Sequence, residues 1–190
     1  NLKYLFIMNR KYANSKAFLD ISQLSSLNKL ETLQLLSFPD SPRHTLNTTD
    51  LFNNAFSNLT KLEIVDAGSM LESCINSFLE VCPKLVHLNV KNNLLQQTQL
   101  ENIRMCSNLE YLAVSNNYEL GDAFLRLVSE SCPKLKFIDF SNCWVTDGFV
   151  FALSGCREIE SVVAEGRDFT GLYFHRIPTM FPKLSHFVVK

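Results

Sequence analysis

An apolar triplet with one fixed spacing, three residues and then two, recurs along the chain. It appears as Leu85, Leu88 and Val90; Leu109, Leu112 and Val114; Leu135, Ile138 and Phe140; Ile159, Val162 and Ala164; and Leu184, Phe187 and Val189. The starts are 24, 26, 24 and 25 residues apart. Cysteines keep the same register: Cys82, Cys106, Cys132 and Cys156 each stand three residues before a triplet, twice within the words CPKL at 82–85 and 132–135. Further triplets are Leu30, Leu33 and Leu35; Leu62, Val65 and Ala67; and Leu2, Leu5 and Ile7, which makes eight units over residues 1–190. The early starts are 28 and 32 residues apart, and SFPDSPRHTLNTTD (37–50), rich in proline and turn formers, reads as an extended loop.

A period of roughly 20–29 residues carrying LxxLxL and then Asn or Cys is the signature of leucine-rich repeats, one strand and one helix to a unit. Asn93, Asn117 and Cys143 hold the Asn/Cys position. Between strands the apolar spacing turns helical, as at Ala123, Phe124, Leu127 and Val128 and at Phe149, Val150, Ala152 and Leu153. Asp122 and the pair Thr146–Asp147 are expected to be helix N-caps, because a short side-chain oxygen can accept a first-turn N–H. One-sided helices are also expected within 19–27, 49–59, 69–81, 96–105 and 169–177. Neither the strand face nor the helix face of one unit can bury itself, so stacked units share one core. The expected fold is an α/β leucine-rich-repeat solenoid, a right-handed horseshoe with parallel strands on the concave face and helices on the convex face. Residues 1–190 form one domain, expected to be a segment of a longer chain because no atypical capping unit is visible.

Composition removes several function classes. The 190 residues are 46% hydrophobic with net charge −1, as in an ordinary globular chain with a substantial core. No apolar stretch approaches the ~18 residues that span a bilayer, so no membrane partner is expected. Near-neutral charge argues against nucleic acid, which needs a concentrated basic face. GxSxG, P-loop, HExxH and glycine-rich nucleotide motifs are absent from the sequence, and no catalytic residue or cofactor is expected. His44, His87, His175 and His186 are scattered; His87 and His186 share a column but lie four repeats apart, roughly 19 Å, too far for one metal. Glu158 and Glu160 flank a core Ile and read as a solvated edge. The six cysteines contain no CxxC pair and are read as buried and reduced, which favours a reducing compartment. The sequons at Asn47 and Asn58 point toward secretion and carry less weight than the cysteines.

What remains is the open sheet face. Side chains alternate along a strand, so the residues flanking each inward pair point there. The listing runs Tyr4, Phe6, Met8; Thr32, Gln34, Leu36; Ile64, Asp66, Gly68; His87, Asn89, Lys91; Tyr111, Ala113, Ser115; Phe137, Asp139, Ser141; Ser161, Val163, Glu165; and His186, Val188, Lys190. The candidate protein-binding residues are Tyr4, Phe6 and Met8 at one end, with Leu36 and Ile64 beside them, and Tyr111 with Phe137 near the middle, surrounded by His87, Lys91, Asp139 and Glu165. Exposed aromatics rimmed by polar groups are what binding hot spots look like. The plainer alternatives are that upstream sequence buries the first group, or that the rings only shield strand backbone. Trp144 is expected to pack against the next helix rather than project.

CPKLVHLNVKNN, CSNLEYLAVSNN and CPKLKFIDFSNCWVTDGFVFAL resemble the cysteine-containing repeats of F-box/leucine-rich-repeat proteins and the related antagonist-of-mitotic-exit-network family, most clearly over residues 82–165. The resemblance implies the substrate-recognition repeats of a Skp1–cullin–F-box ubiquitin ligase, non-enzymatic and cytoplasmic or nuclear. In that reading a protein substrate sits on the concave face, and Skp1 and cullin are held through an F-box outside these residues. No F-box is present in the sequence. The alternative is a non-ligase scaffold or inhibitor that binds one stable partner.

Overall fold

The computed structural model describes residues 1–8, 24, 26–37, 56–68, 74–166 and 169–189. Eight strands form one parallel sheet in chain order: β1 Tyr4–Met8, β2 Thr32–Leu36, β3 Lys61–Val65, β4 His87–Asn89, β5 Tyr111–Ala113, β6 Phe137–Asp139, β7 Ser161–Ala164 and β8 His186–Val189. Every strand pairs in register with its neighbours in sequence, so equivalent repeat positions form columns across the sheet. This is the expected solenoid. The inward triplet residues of β2 to β7 are fully or almost fully buried and join the cysteines in one continuous core.

The third unit differs from the expected alignment. Leu33 pairs with Leu62 and Leu35 with Ile64, and Leu59, Leu62 and Ile64 are fully buried. The triplet is therefore Leu59, Leu62, Ile64, and Lys61, Glu63 and Val65 face the open side in place of Ile64, Asp66 and Gly68. LTKLEIVDA holds apolar residues in two registers three apart, and an odd shift exchanges the faces of a strand.

Helical segments cover the other face: α1 Ile75–Val81, a 3₁₀ helix Gln97–Met105, α2 Asp122–Ser131, α3 Phe149–Ala152, a 3₁₀ turn Phe174–Arg176 and α4 Ile177–Met180. Between β4 and β5 the return path is the nine-residue 3₁₀ helix. A 3₁₀ helix rises about 2.0 Å per residue against 1.5 Å in an α-helix, so fewer residues cover the same return path. The next unit returns through α2, which buries Phe124, Leu125, Leu127 and Val128 and exposes Ala123. Most of the helices expected over 19–27 and 49–59 lies outside the described residues, as do the 38–50 part of the expected loop and His44.

The expected N-caps are corrected. Gly121 and Gly148 hold the cap positions of α2 and α3, without a side-chain cap bond. Asp122 instead accepts from the Thr146 N–H at 3.0 Å and hydroxyl at 2.6 Å in the next unit. Asp147 reaches onward in the same way, accepting from the hydroxyl and N–H of Thr170 and the N–H groups of Gly171 and Leu172. These carboxylates tie one repeat to the next rather than capping their own helices.

Asn93 and Asn117 perform the role their position suggests. Asn117 accepts from the N–H of Asn93 (3.2 Å) and Leu95 (2.9 Å) and donates to the carbonyls of Val90 (2.9 Å) and Val114 (2.7 Å). Asn93 does the same one unit earlier with Ala67, Ile64 and Lys91, and at the third such place the Cys143 thiol donates to Val114 O at 3.3 Å. The cysteine row is equally regular: Cys132 and Cys156 donate to the carbonyls of Cys106 and Cys132, both at 3.6 Å. All six thiols are free of disulfides. Burial pushes those of Cys74, Cys106 and Cys143 up to about 12 and that of Cys156 to about 11.

Candidate binding surface on the open sheet face

Register lays out the open face as columns. The first runs Tyr4, Thr32, Lys61, His87, Tyr111, Phe137, Ser161, His186, and the second Phe6, Gln34, Glu63, Asn89, Ala113, Asp139, Val163, Val188. Strands about 4.8 Å apart hold like positions at ring-stacking distance. The His87 and Tyr111 rings stack at 3.9 Å between centroids with 7° between planes, and Tyr111 and Phe137 at 4.3 Å with 3°. Three adjacent strands thus present one continuous half-buried aromatic ribbon.

Charged groups brace the ribbon from the second column. Glu63 accepts from Gln34, from Lys61 at 3.1 Å and from His87 Nε2–H at 2.9 Å. The Tyr4 hydroxyl donates to Gln34 Oε1 at 2.5 Å, which extends the chain of bonds to β1. Burial alone would raise the Glu63 carboxyl, but the Gln34 and Lys61 hydrogen bonds and the Lys61 and His87 charges hold it below its ordinary value. Burial and the Lys61 charge push His87 below its ordinary value against the pull of Glu63. His87 is therefore neutral near pH 7 and donates its Nε2 proton to a carboxylate.

On the other flank Lys91 meets Asp139 at 2.6 Å, reaching across β5, where the small Ala113 and Ser115 leave room. Asp139 also accepts from the Ser141 N–H at 3.0 Å, and these partners outweigh burial to keep its carboxyl low. Ala113, Ser115, Asp139 and Ser141, expected to be open, are at most 6% exposed. Flanking side chains cover them, so they form the floor of the surface. Glu165 sits beyond β7, its N–H bonded to Ser141 Oγ at 3.1 Å.

The structure therefore brings His87, Tyr111, Phe137, Lys91 and Asp139 together. Tyr4, Phe6 and Met8 stay exposed, at 54%, 44% and 46%, on β1 three strands away, beside the half-buried Leu36 and Val65. Ile64 is withdrawn from this group. Glu63 and Lys61 were missed with the register of their unit; the signal was Leu59, which opens an LxxLxI word. The Trp144 side chain is 73% exposed and projects, contrary to expectation, while its backbone N–H donates to Leu120 O at 2.7 Å. The Asn58 side chain donates to Asn28 O at 3.0 Å and accepts from Lys84 at 2.8 Å, so the amide of that sequon is already engaged; Asn47 lies outside the described residues. Among the described residues no His, Cys, Asp and Glu group is arranged to hold a metal, and no helix is long and apolar enough to cross a membrane.

No established family profile matches the chain. GRR1-like protein 1 of Arabidopsis thaliana is 30% identical over 147 residues, 71% of this chain and 25% of that protein. F-box/TPR repeat protein pof3 of Schizosaccharomyces pombe is 26% identical over 170 residues, 85% of this chain and 28% of that protein. The chain spans about a quarter of the length of these curated relatives. Among solved structures, an internalin from Listeria monocytogenes matches with a TM-score of 0.59 at 16% identity, covering 88% of this chain and 44% of that one. The mouse RP105/MD-1 complex matches with 0.52 at 17% identity, covering 97% and 33%. At such identities the structural likeness speaks to fold alone. Repeats, sheet and likenesses agree: the chain is an α/β leucine-rich-repeat solenoid, similar in sequence to a GRR1-like protein and to an F-box/TPR repeat protein.

Proposed function

We propose that the chain is a non-enzymatic protein-binding module whose concave face holds a protein partner, and that it supplies the substrate-recognition repeats of a Skp1–cullin–F-box ubiquitin ligase. The observation that carries the reading is the His87–Tyr111–Phe137 ribbon, rigid, half-buried and braced by Glu63 on one side and Lys91–Asp139 on the other. Preorganised aromatics lose little conformational freedom on binding and dominate hot spots. Tyr4, Phe6, Met8 and Glu165 extend the contact area. The sequence likeness to an F-box/TPR repeat protein supports the ligase role, with Skp1 and cullin engaged through an F-box elsewhere in the protein. Six reduced thiols fit a cytoplasmic or nuclear setting.

The test is affinity purification with mass spectrometry of the intact protein and its Tyr111→Ala/Phe137→Ala variant, under proteasome inhibition. The proposal expects Skp1 and cullin with both forms and one further protein lost with the variant. A stoichiometric partner without ligase subunits replaces the ligase reading with that of a scaffold or inhibitor. Retention of every partner by the variant removes the concave site.

A further inference from the structure

The ring column of the open face is interrupted at one strand. His87, Tyr111 and Phe137 stack in sequence on β4, β5 and β6, and the same register carries the column through Ser161 of β7 to His186 of β8. At the β3 end the stack meets Lys61, which is paired with Glu63. At the β7 end it meets only the small side chain of a serine. Among the described residues Phe137 stacks with Tyr111 alone, so its second face is turned to the space over Ser161. Two strand steps of about 4.8 Å separate β6 from β8, roughly 9.6 Å. One flat group in van der Waals contact on both sides needs roughly 7–8 Å, so the interval holds one such group and no more.

Charge selects the kind of group. The lysines nearby are already matched: Lys136 meets Glu110 at 2.7 Å, Lys183 meets Glu158 at 2.5 Å and Lys91 meets Asp139 at 2.6 Å. Glu160, next to Ser161, is exposed, and its carboxylate makes no hydrogen bond or ion pair among the described residues. A negative charge is thus left over at the mouth of the interval.

We infer that this interval is a slot for one arginine side chain of the protein partner, an inference that rests on the concave-face reading above. A guanidinium is flat and cationic, stacks on an aromatic face and donates in its own plane, here toward the Glu160 carboxylate and the Ser161 hydroxyl oxygen. The methylene stem lies over Val163 and Val188, which pair beside the slot in the second column. A lysine ammonium has the charge but no plane to stack. A tyrosine or phenylalanine ring has the plane but leaves Glu160 unmatched.

The probes are the N-acetyl methylamides of arginine, lysine and tyrosine, titrated into the isotope-labelled protein while the amide signals of Ser161 and His186 are followed by NMR. The inference expects saturable shifts with the arginine probe, about fivefold tighter than with the other two. Ser161→Phe, which completes the ring column from within, should abolish them, and Glu160→Gln should weaken them about threefold. It is overturned by no saturable shift up to about 50 mM arginine probe, by equal affinity for either other probe, or by unchanged binding in both variants. Affinity purification of the intact protein separates the slot from the reading beneath it, because Ser161→Phe leaves the three stacked rings in place. Loss of the partner in both Ser161→Phe and Tyr111→Ala/Phe137→Ala supports the slot. A partner kept by Ser161→Phe and Glu160→Gln but lost by Tyr111→Ala/Phe137→Ala refutes the slot and spares the concave site. A partner kept by Tyr111→Ala/Phe137→Ala refutes both.

Discussion

Replacing Asn117 with alanine should be among the most damaging single changes in the chain, although it removes only a few atoms. The side chain is fully buried and makes four hydrogen bonds to the backbone of the loops around it. Its loss leaves the N–H groups of Asn93 and Leu95 and the carbonyls of Val90 and Val114 without that partner. Each unsatisfied buried group costs roughly 1–3 kcal/mol, and a water entering the vacated space relieves part of this. The expected loss is therefore about 3–5 kcal/mol. In a chain of this size melting falls about 2–4 °C per kcal/mol, a drop of roughly 6–20 °C. Asn117→Cys should lose about half as much, because the Cys143 thiol already fills the equivalent place by donating to Val114 O. Asn116→Ala, one residue away on the surface, should cost under about 1 kcal/mol. Urea and thermal unfolding are followed by circular dichroism and by Trp144 fluorescence together, since solenoids can unravel from a damaged unit. Asn117→Ala within 1 kcal/mol of the parent, or no worse than Asn116→Ala, would refute the reasoning.

Other consequences can be measured on the same material. Ile64→Ala should cost about 2–5 kcal/mol and Val65→Ala under about 1 kcal/mol in urea melts; the reverse order would restore the other register of β3. Asp147→Ala should cost about 2–3 kcal/mol and raise hydrogen exchange at Thr170, Gly171 and Leu172, and unchanged exchange there would contradict the inter-repeat tie. Stability should be level near neutrality and fall with acid in two stages. His87, held below 6.5 when folded, favours the unfolded chain as pH drops through that value. Glu63, Asp139 and Asp147, held below 4.5 and 3.8, withdraw their contribution at lower pH still; stability that rises on acidification from pH 7 to 5 would show the sign to be wrong. The thiols of Cys74, Cys82, Cys106, Cys132 and Cys156 should resist alkylation at pH 8 until unfolding, because burial keeps them protonated and covered. Rapid labelling of Cys106 in the folded protein would contradict its placement.

The repeat was legible because packing demands it: each triplet residue must meet its counterpart one strand away, so the spacing in sequence is the spacing in the sheet. The aromatic ribbon was legible for the same reason, since Tyr111 and Phe137 share a register position. Three features were not. In LTKLEIVDA an extra apolar residue, Val65, let the triplet slide by three, and Glu63 and Lys61 vanished from the candidate surface with it. Asp122 and Asp147 resemble caps locally, but their partners lie in the next repeat, 23 to 25 residues on, where local spacing carries no information. Exposure of Trp144 is set by the loop it follows, whereas its residue type argues for burial.

The central claim is that a protein partner rests on the ribbon of the open face. Site-specific photocrosslinking in cells tests it most directly, with the photoreactive residue placed at Phe137 on the ribbon or at Arg126 on the exposed side of α2. The account predicts a discrete crosslinked protein from position 137, none from position 126, and loss of the crosslink in Tyr111→Ala. The same adduct from both positions, or one from position 126 alone, would place the partner on another face and contradict it.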